Sequence, residues 1–165
     1  MKAHFEMMAA YNGWANEMVY GAVSELGDAD YRADLGAFFG SIHGTLNHIV
    51  VADLLWLARF RRQPRPPFSL DAIPHDDREE LWAARRVLDA DIVRYIGGLG
   101  EADLAGGLTY SMVARDEIVT QPLVHALAHF FNHQTHHRGQ VHALLTRLTG
   151  KAPPLDLVYF QREAA

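Results

Sequence analysis

Ten of the 165 residues are histidine, and six of those ten fall between His125 and His142. A neutral imidazole offers a lone pair to a divalent metal, so clustered histidines first raise the question of coordination. His133 and His137 are four residues apart, which on a helix puts both rings on one face, about 5 to 6 Å apart at Cβ. At about 100° per residue, Leu127, Phe130, Val141, Leu144, Leu145 and Leu148 form one apolar stripe. His137 lies inside that stripe and His133 at its margin, so both face the interior of a helical assembly or its mouth. His125, His129 and His136 fall progressively outside it, with His129 the nearest of the three. Two ligands one turn apart make a weak site, so a third must come from another helix. His48, in the apolar segment LNHIVVADLLWLARF, is the candidate.

Three imidazoles with open positions on one ion form the donor set of a catalytic metal site, and two mechanisms follow. Water held there is acidified toward neutral pH, which makes a metal-dependent hydrolase. A substrate thiol held there becomes a thiolate nucleophile, which makes a transferase. No glutamate lies between the paired histidines and no general base stands out, which suits a thiolate better. The opposing reading is a non-catalytic bundle in which metal or histidines only stabilise the fold or sense metal. Imidazole accepts several ions, with zinc or nickel the first expectation.

Other chemistries are excluded by what the chain lacks. There are no cysteines, hence no disulfides, thiolate ligands or cysteine nucleophile. A ferritin-like di-iron site needs Glu-x-x-His, and no glutamate has a histidine three positions on. Neither a G-x-x-x-x-G-K-S/T loop nor a G-x-S-x-G elbow occurs. A net charge of −5 argues against a nucleic-acid partner. The longest uncharged run, Ile118 to His137, holds five histidines and is too polar for a membrane span. With Glu6 where a signal peptide needs an apolar run, a cytoplasmic protein acting on a small molecule is expected.

The elements that must position these residues are helices, in one domain across residues 1–165. A first helix runs from about Lys2 to Leu26 and stops at Gly27. After a loop carrying Asp28, Asp30 and Asp34, Ser41 caps a second helix that reaches about Arg62. Gln63 to Pro74 contains four of the seven prolines and reads as a long crossover. A third helix starts at Asp76 and Asp77, with Glu79 and Glu80 in its first turn, and ends near Gly97 and Gly98. LTYSMV and IVT around ARDE suggest a small β-hairpin. Pro122 then opens a fourth helix that stops at Gly150, and the apolar LVYF segment packs back on the bundle. The fold class is therefore all-α, a four-helix bundle whose long link between helices two and three permits a parallel step.

Some supporting residues have two readings. Asp53 and Arg138 are opposite charges on buried helices and should lie near each other, either as an interhelix ion pair or with Asp53 orienting a ligand imidazole. Gly139 in mid-helix implies the close approach of a neighbouring helix or of a second copy. Tyr11, Trp14, Trp56 and Phe60 belong to the core or line a substrate pocket.

The segments SIHGTLNHIVVADLLWLARF, Ser41 to Phe60, and HFFNHQTHHRGQVHALL, His129 to Leu145, resemble the two signature segments of the DinB (DNA-damage-inducible) family, also called YfiT-like. YNGWAN near the start and PPLDLVYF near the end are similar to that family's pattern too. The resemblance implies an up-down-down-up bundle, usually a homodimer, with a metal held by three histidines. Carried over by motif, these are His48 of TLNH and the pair His133 and His137 of NHxxHHRGQ. It also implies thiol-dependent activity, the transfer of a low-molecular-weight thiol such as bacillithiol or mycothiol, or its use in isomerisation. The family name, with its stress-response sense, records gene induction and says nothing of DNA binding.

Overall fold

The computed structural model describes residues 1–112 and 117–163. Four long helices carry the architecture: α1 (Lys2–Ser24), α3 (Ile42–Phe60), α4 (Arg78–Gly98) and α6 (Leu123–Thr149). Three short ones join them: α2 (Asp28–Arg32), α5 (Glu101–Leu104) and α7 (Leu157–Glu163). The segment around Asp28 and Asp30, expected as loop, winds into α2 because both carboxylates fall in its first turn, at the positive end of the peptide dipoles.

Cross-contacts fix the directions of the long helices. Asn12 of α1 meets Asp89 of α4, while Lys2 reaches the carbonyl of Gly97 and Arg78 those of Val23 and Leu26, so α1 and α4 are antiparallel. Phe5 stacks on Phe131 and Asn12 meets Arg138, so α1 and α6 run parallel. Asp53 meets Arg85 and Arg61 meets Asp91, so α3 and α4 are parallel, whereas His48–His133 and Phe60–Phe130 make α3 and α6 antiparallel. The course is up-down-down-up, and the crossover of residues 61–77 is the link that permits the parallel step.

Local chemistry sets the helix limits. The Ser41 hydroxyl accepts the Gly44 N–H at 3.0 Å and starts α3. Asp77 accepts from Glu79 and Glu80, both at 2.9 Å, and starts α4. Gly150, at φ +75°, closes α6 with its N–H on the carbonyl of Thr146. Before α6 lies a two-stranded antiparallel hairpin, β1 (Gly107–Ser111) and β2 (Ile118–Pro122), in register at Thr109 and Thr120. Of the expected strand LTYSMV residue 113, and of the expected turn ARDE residues 114–116, lie outside the described ones. Pro122 ends β2 and flanks α6 as its N-cap.

α3 is buried nearly all round, which explains its continuous apolar sequence. The LVYF segment forms α7, whose Phe160 packs on Tyr11 and Trp14 of α1, while the Tyr11 hydroxyl donates to the carbonyl of Leu155. Tyr11 and Phe60 are core residues. Among the described residues no helix is long and apolar enough to cross a membrane.

Candidate metal centre

His48 on α3 and His133 and His137 on α6 converge at one end of the α3–α6 interface. His133 Nε2 lies 3.3 Å from His48 Nε2 and 3.1 Å from His137 Nε2. One ligand atom from each of the three falls within 4.8 Å of the others. Ligands at 2.0 to 2.1 Å around a tetrahedral ion stand about 3.3 Å apart, so this spacing fits a shared ion.

The far side of two rings is fixed. His48 Nδ1 lies 2.7 Å from the carbonyl of Leu70, and His137 Nδ1 lies 2.8 Å from Gln140 Oε1. Both oxygens can only accept, so each Nδ1 carries the proton and each Nε2 keeps its lone pair toward the centre. An Nε2–H on His133 could satisfy one of those lone pairs but not both. Gln140 in turn points its amide nitrogen at His136 Nε2, 3.4 Å away, which orients its oxygen toward His137.

Electrostatics keep the rings neutral. Burial pushes His48 down to about 4, with His137 adding to the effect and the Leu70 carbonyl opposing it. Burial, and then the neighbouring imidazoles, push His133 down to about 3. His137 is lowered by burial, against its bond to Gln140. Neutral imidazole is the form that ligates metal, so the donor set is ready near pH 7.

The positioning elements explain why the sequence folds this way locally. Asn47, the residue before His48, donates to the carbonyl of His75 and accepts its N–H, which ties the crossover onto α3 and brings Leu70 over His48. At Gly44 a β-carbon would meet the carbonyl oxygen of Phe39 at 2.2 Å, so only glycine admits that approach. Phe39 consequently stacks on the His48 ring, centroids 3.7 Å apart, and meets His137 edge-on at 5.6 Å. Leu70, Phe39 and Gln140 were not among the sequence candidates. Only Gln140 carried a signal, three positions beyond His137 on the same helical face.

His129 does not join the cluster. Its ring lies 5.8 Å from that of His133 and 5.1 Å from Trp56, on the wall of an adjoining cavity of about 440 Å³. That cavity opens beside His48 and His133 and is lined by Trp56, Arg59, Tyr110 and Gln121 among others. Trp56 thus serves both the core and the cavity wall.

Asp53 and Arg138 lie near each other as expected, in one polar network, but form no ion pair. Asp53 accepts from Arg85 at 2.6 Å and from Gln134 at 2.9 Å, both on Oδ2. Arg138 turns toward α1 instead, where the carboxamide oxygens of Asn12 and Asn16 receive its Nη1. The reason is geometric: α4, parallel to α3, brings Arg85 directly opposite Asp53. Asp53 makes no hydrogen bond to any of the three imidazoles, so it is not the group that orients them. Burial raises its carboxyl to about 6, against the pull of Arg85. Gly139 is exposed, and a β-carbon built on it finds no atom within 4 Å, so among the described residues no helix packs closely there.

A helical bundle of up-down-down-up course with three imidazoles meeting between its second and fourth long helices defines the class. The chain belongs to the DinB family, whose model matches residues 1–164. It is 25% identical over 149 residues to Protein DinB of Bacillus subtilis (strain 168), covering 88% of this chain and 87% of that one. Among solved structures, YfiT from Bacillus subtilis, described as a probable metal-dependent hydrolase with an unusual four-helix bundle topology, aligns with a TM-score of 0.72. Identity to it is 15%, over 92% of this chain and 91% of YfiT. A DinB-like protein from Bacillus cereus ATCC 10987 aligns with a TM-score of 0.63 at 20% identity, over 85% and 89% of the two chains. At these identities the structural likeness establishes the fold.

Proposed function

We propose that the chain is a metal-dependent enzyme whose ion is held by His48, His133 and His137, and that it transfers a low-molecular-weight thiol to a small electrophilic substrate. The observation that carries the metal reading is the set of three Nε2 atoms gathered about one point, two of them with lone pairs turned inward by protonated Nδ1 atoms bonded to Leu70 and Gln140. A divalent ion, zinc or nickel, would supply Lewis acidity there and lower the pKa of a thiol or water. Leu70 and Gln140 hold the rings in the ligating tautomer, Phe39 covers one side of His48, and the cavity beside Trp56 admits substrate from the other.

Transferase is favoured over hydrolase by the cavity wall. Among the described residues no carboxylate lines it, so no side-chain base beyond the histidines is on hand. A thiol, with an ordinary pKa of about 8.5, would give its proton to solvent near neutral pH with far less help from an ion than water needs. The hydrolase reading keeps one support, the description of YfiT. A screen of the metal-loaded protein decides between them: loss of free thiol with electrophile present supports transfer, and ester or amide cleavage without thiol loss supports hydrolysis. If neither depends on metal and on His137, both enzyme readings fall and a non-catalytic role stands.

A further inference from the structure

We propose that the cavity beside the imidazoles continues past Arg59 into a cationic subsite, which holds the carboxylate or phosphate of an elongated substrate whose reactive end lies at the histidines. The placement of the reactive end rests on the metal-site reading above; the anion subsite does not. A second cavity, of about 530 Å³, lies on the other side of Arg59 and shares Leu55, Arg59 and Tyr110 with the first. Its wall carries three guanidinium groups, Arg59, Arg62 and Arg65, in a protein whose net charge is −5.

The arginines differ in their partners: Arg78, Arg138 and Arg147 reach carbonyl or carboxamide oxygens without a carboxylate among the described residues. Arg32, Arg61, Arg85, Arg86 and Arg94 each lie against a carboxylate. Arg59, Arg62 and Arg65 form no ion pair among the described residues, and no carboxylate lines either cavity there. A half-buried cation without a counterion is costly, and a bound anion removes that cost. The negative end of the α3 dipole favours basic residues here, but that effect is met by one or two exposed side chains and does not require Arg59 to be half-buried.

Arg59 is also held for the task. Its guanidinium lies 4.5 Å from the Trp56 ring and 4.7 Å from the Tyr110 ring, with Nη2 donating to the carbonyl of Ser111 at 3.3 Å. One donor is used out of five, and the aromatic faces fix the plane of the rest. Burial and the charge of Arg65 lower its pKa, the direction that a nearby anion would reverse. Arg62 stands at φ +54°, in the left-handed region where a helix usually ends on glycine. A charged side chain thus stands at a position whose backbone sterics favour glycine.

The test begins with metal-free protein, so that it is independent of the histidine site. Sodium hexanoate, hexyl phosphate and hexanol are titrated while NMR follows the Arg59 Nε–H and Trp56 indole signals. Both anions should bind at least about tenfold more tightly than the alcohol, with their ranking telling carboxylate from phosphate, and the preference should vanish in the Arg62→Gln/Arg65→Gln double variant. Equal binding of hexanol, or an unchanged preference in the double variant, overturns the subsite. Zinc-loaded protein is then titrated with 6-mercaptohexanoate and 6-mercaptohexanol by calorimetry. A preference of about tenfold for the acid that the double variant loses joins the two ends. Equal affinities beside intact anion binding in the first experiment overturn the elongated substrate while leaving the metal site standing.

Discussion

At the residue scale the proposed centre depends on lone pairs aimed by second partners. Replacing His48 or His137 with Ala should lower zinc affinity by more than about 100-fold, since removing even an outer partner of a ligand costs about 10- to 100-fold. Gln140→Ala is the sharper test, because it leaves all three imidazoles and removes only the acceptor on His137 Nδ1. Its expected effect is a loss of about tenfold, and competition with a chromophoric chelator measures both. Protonation gives a separate check. In the folded, metal-free chain His48 and His133 titrate at about 4 and about 3, below an unfolded value of about 6.5. As pH falls from about 6.5 the unfolded state takes up protons that these rings refuse, so stability falls over pH 6.5 to 4. Asp53, raised to about 6, opposes this by binding its proton earlier in the folded state. Urea midpoints should therefore drop across that window, and the drop should shrink in a His48→Gln/His133→Gln variant.

At the scale of elements, α6 carries two of the three histidines and one residue that packing does not explain. Gly139 is exposed, with open space at the site of a β-carbon. Gly139→Ala should raise stability by about 0.5 to 1 kcal/mol, the helix-propensity difference, as read by denaturant unfolding. A loss instead would point to a second copy seated on this face, as the homodimer expectation would have it. The crossover matters as much as the helices. Its Leu70 carbonyl reaches His48 from a segment that Asn47 clamps at His75, so Asn47→Ala should weaken zinc binding without touching a ligand.

At the scale of the whole molecule the bundle is held by more than its apolar core. Asp53, Arg85, Asp89, Asn12, Asn16, Gln134 and Arg138 meet at its centre, joining α1, α3, α4 and α6. Arg85 Nη2 stands 3.0 Å from Asp89 Oδ1, an ionic contact whose angle is too poor for a hydrogen bond. Such a network favours this line-up of the four helices, since a shift that parted Asp53 from Arg85 would strand a buried charge. Asp53→Asn leaves Arg85 with Asp89 alone and should destabilise the protein by about 3 kcal/mol in urea unfolding, with zinc affinity changed far less than by Gln140→Ala.

The four long helices, the hairpin and the shared face of His133 and His137 were legible in the chain because each is written in local terms, whereas His48 was reached through the need for a third donor and the family motif. Caps, prolines and terminal glycines mark the helix ends, and the i, i+4 spacing states which rings share a face. Arg85 as the partner of Asp53, Leu70 behind His48, Phe39 over its ring and the arginine-lined cavity were not legible. Each depends on which helix lies beside which and in what direction. That is decided when apolar faces and buried charges are satisfied together across the whole bundle, and spacing along one helix carries no record of it.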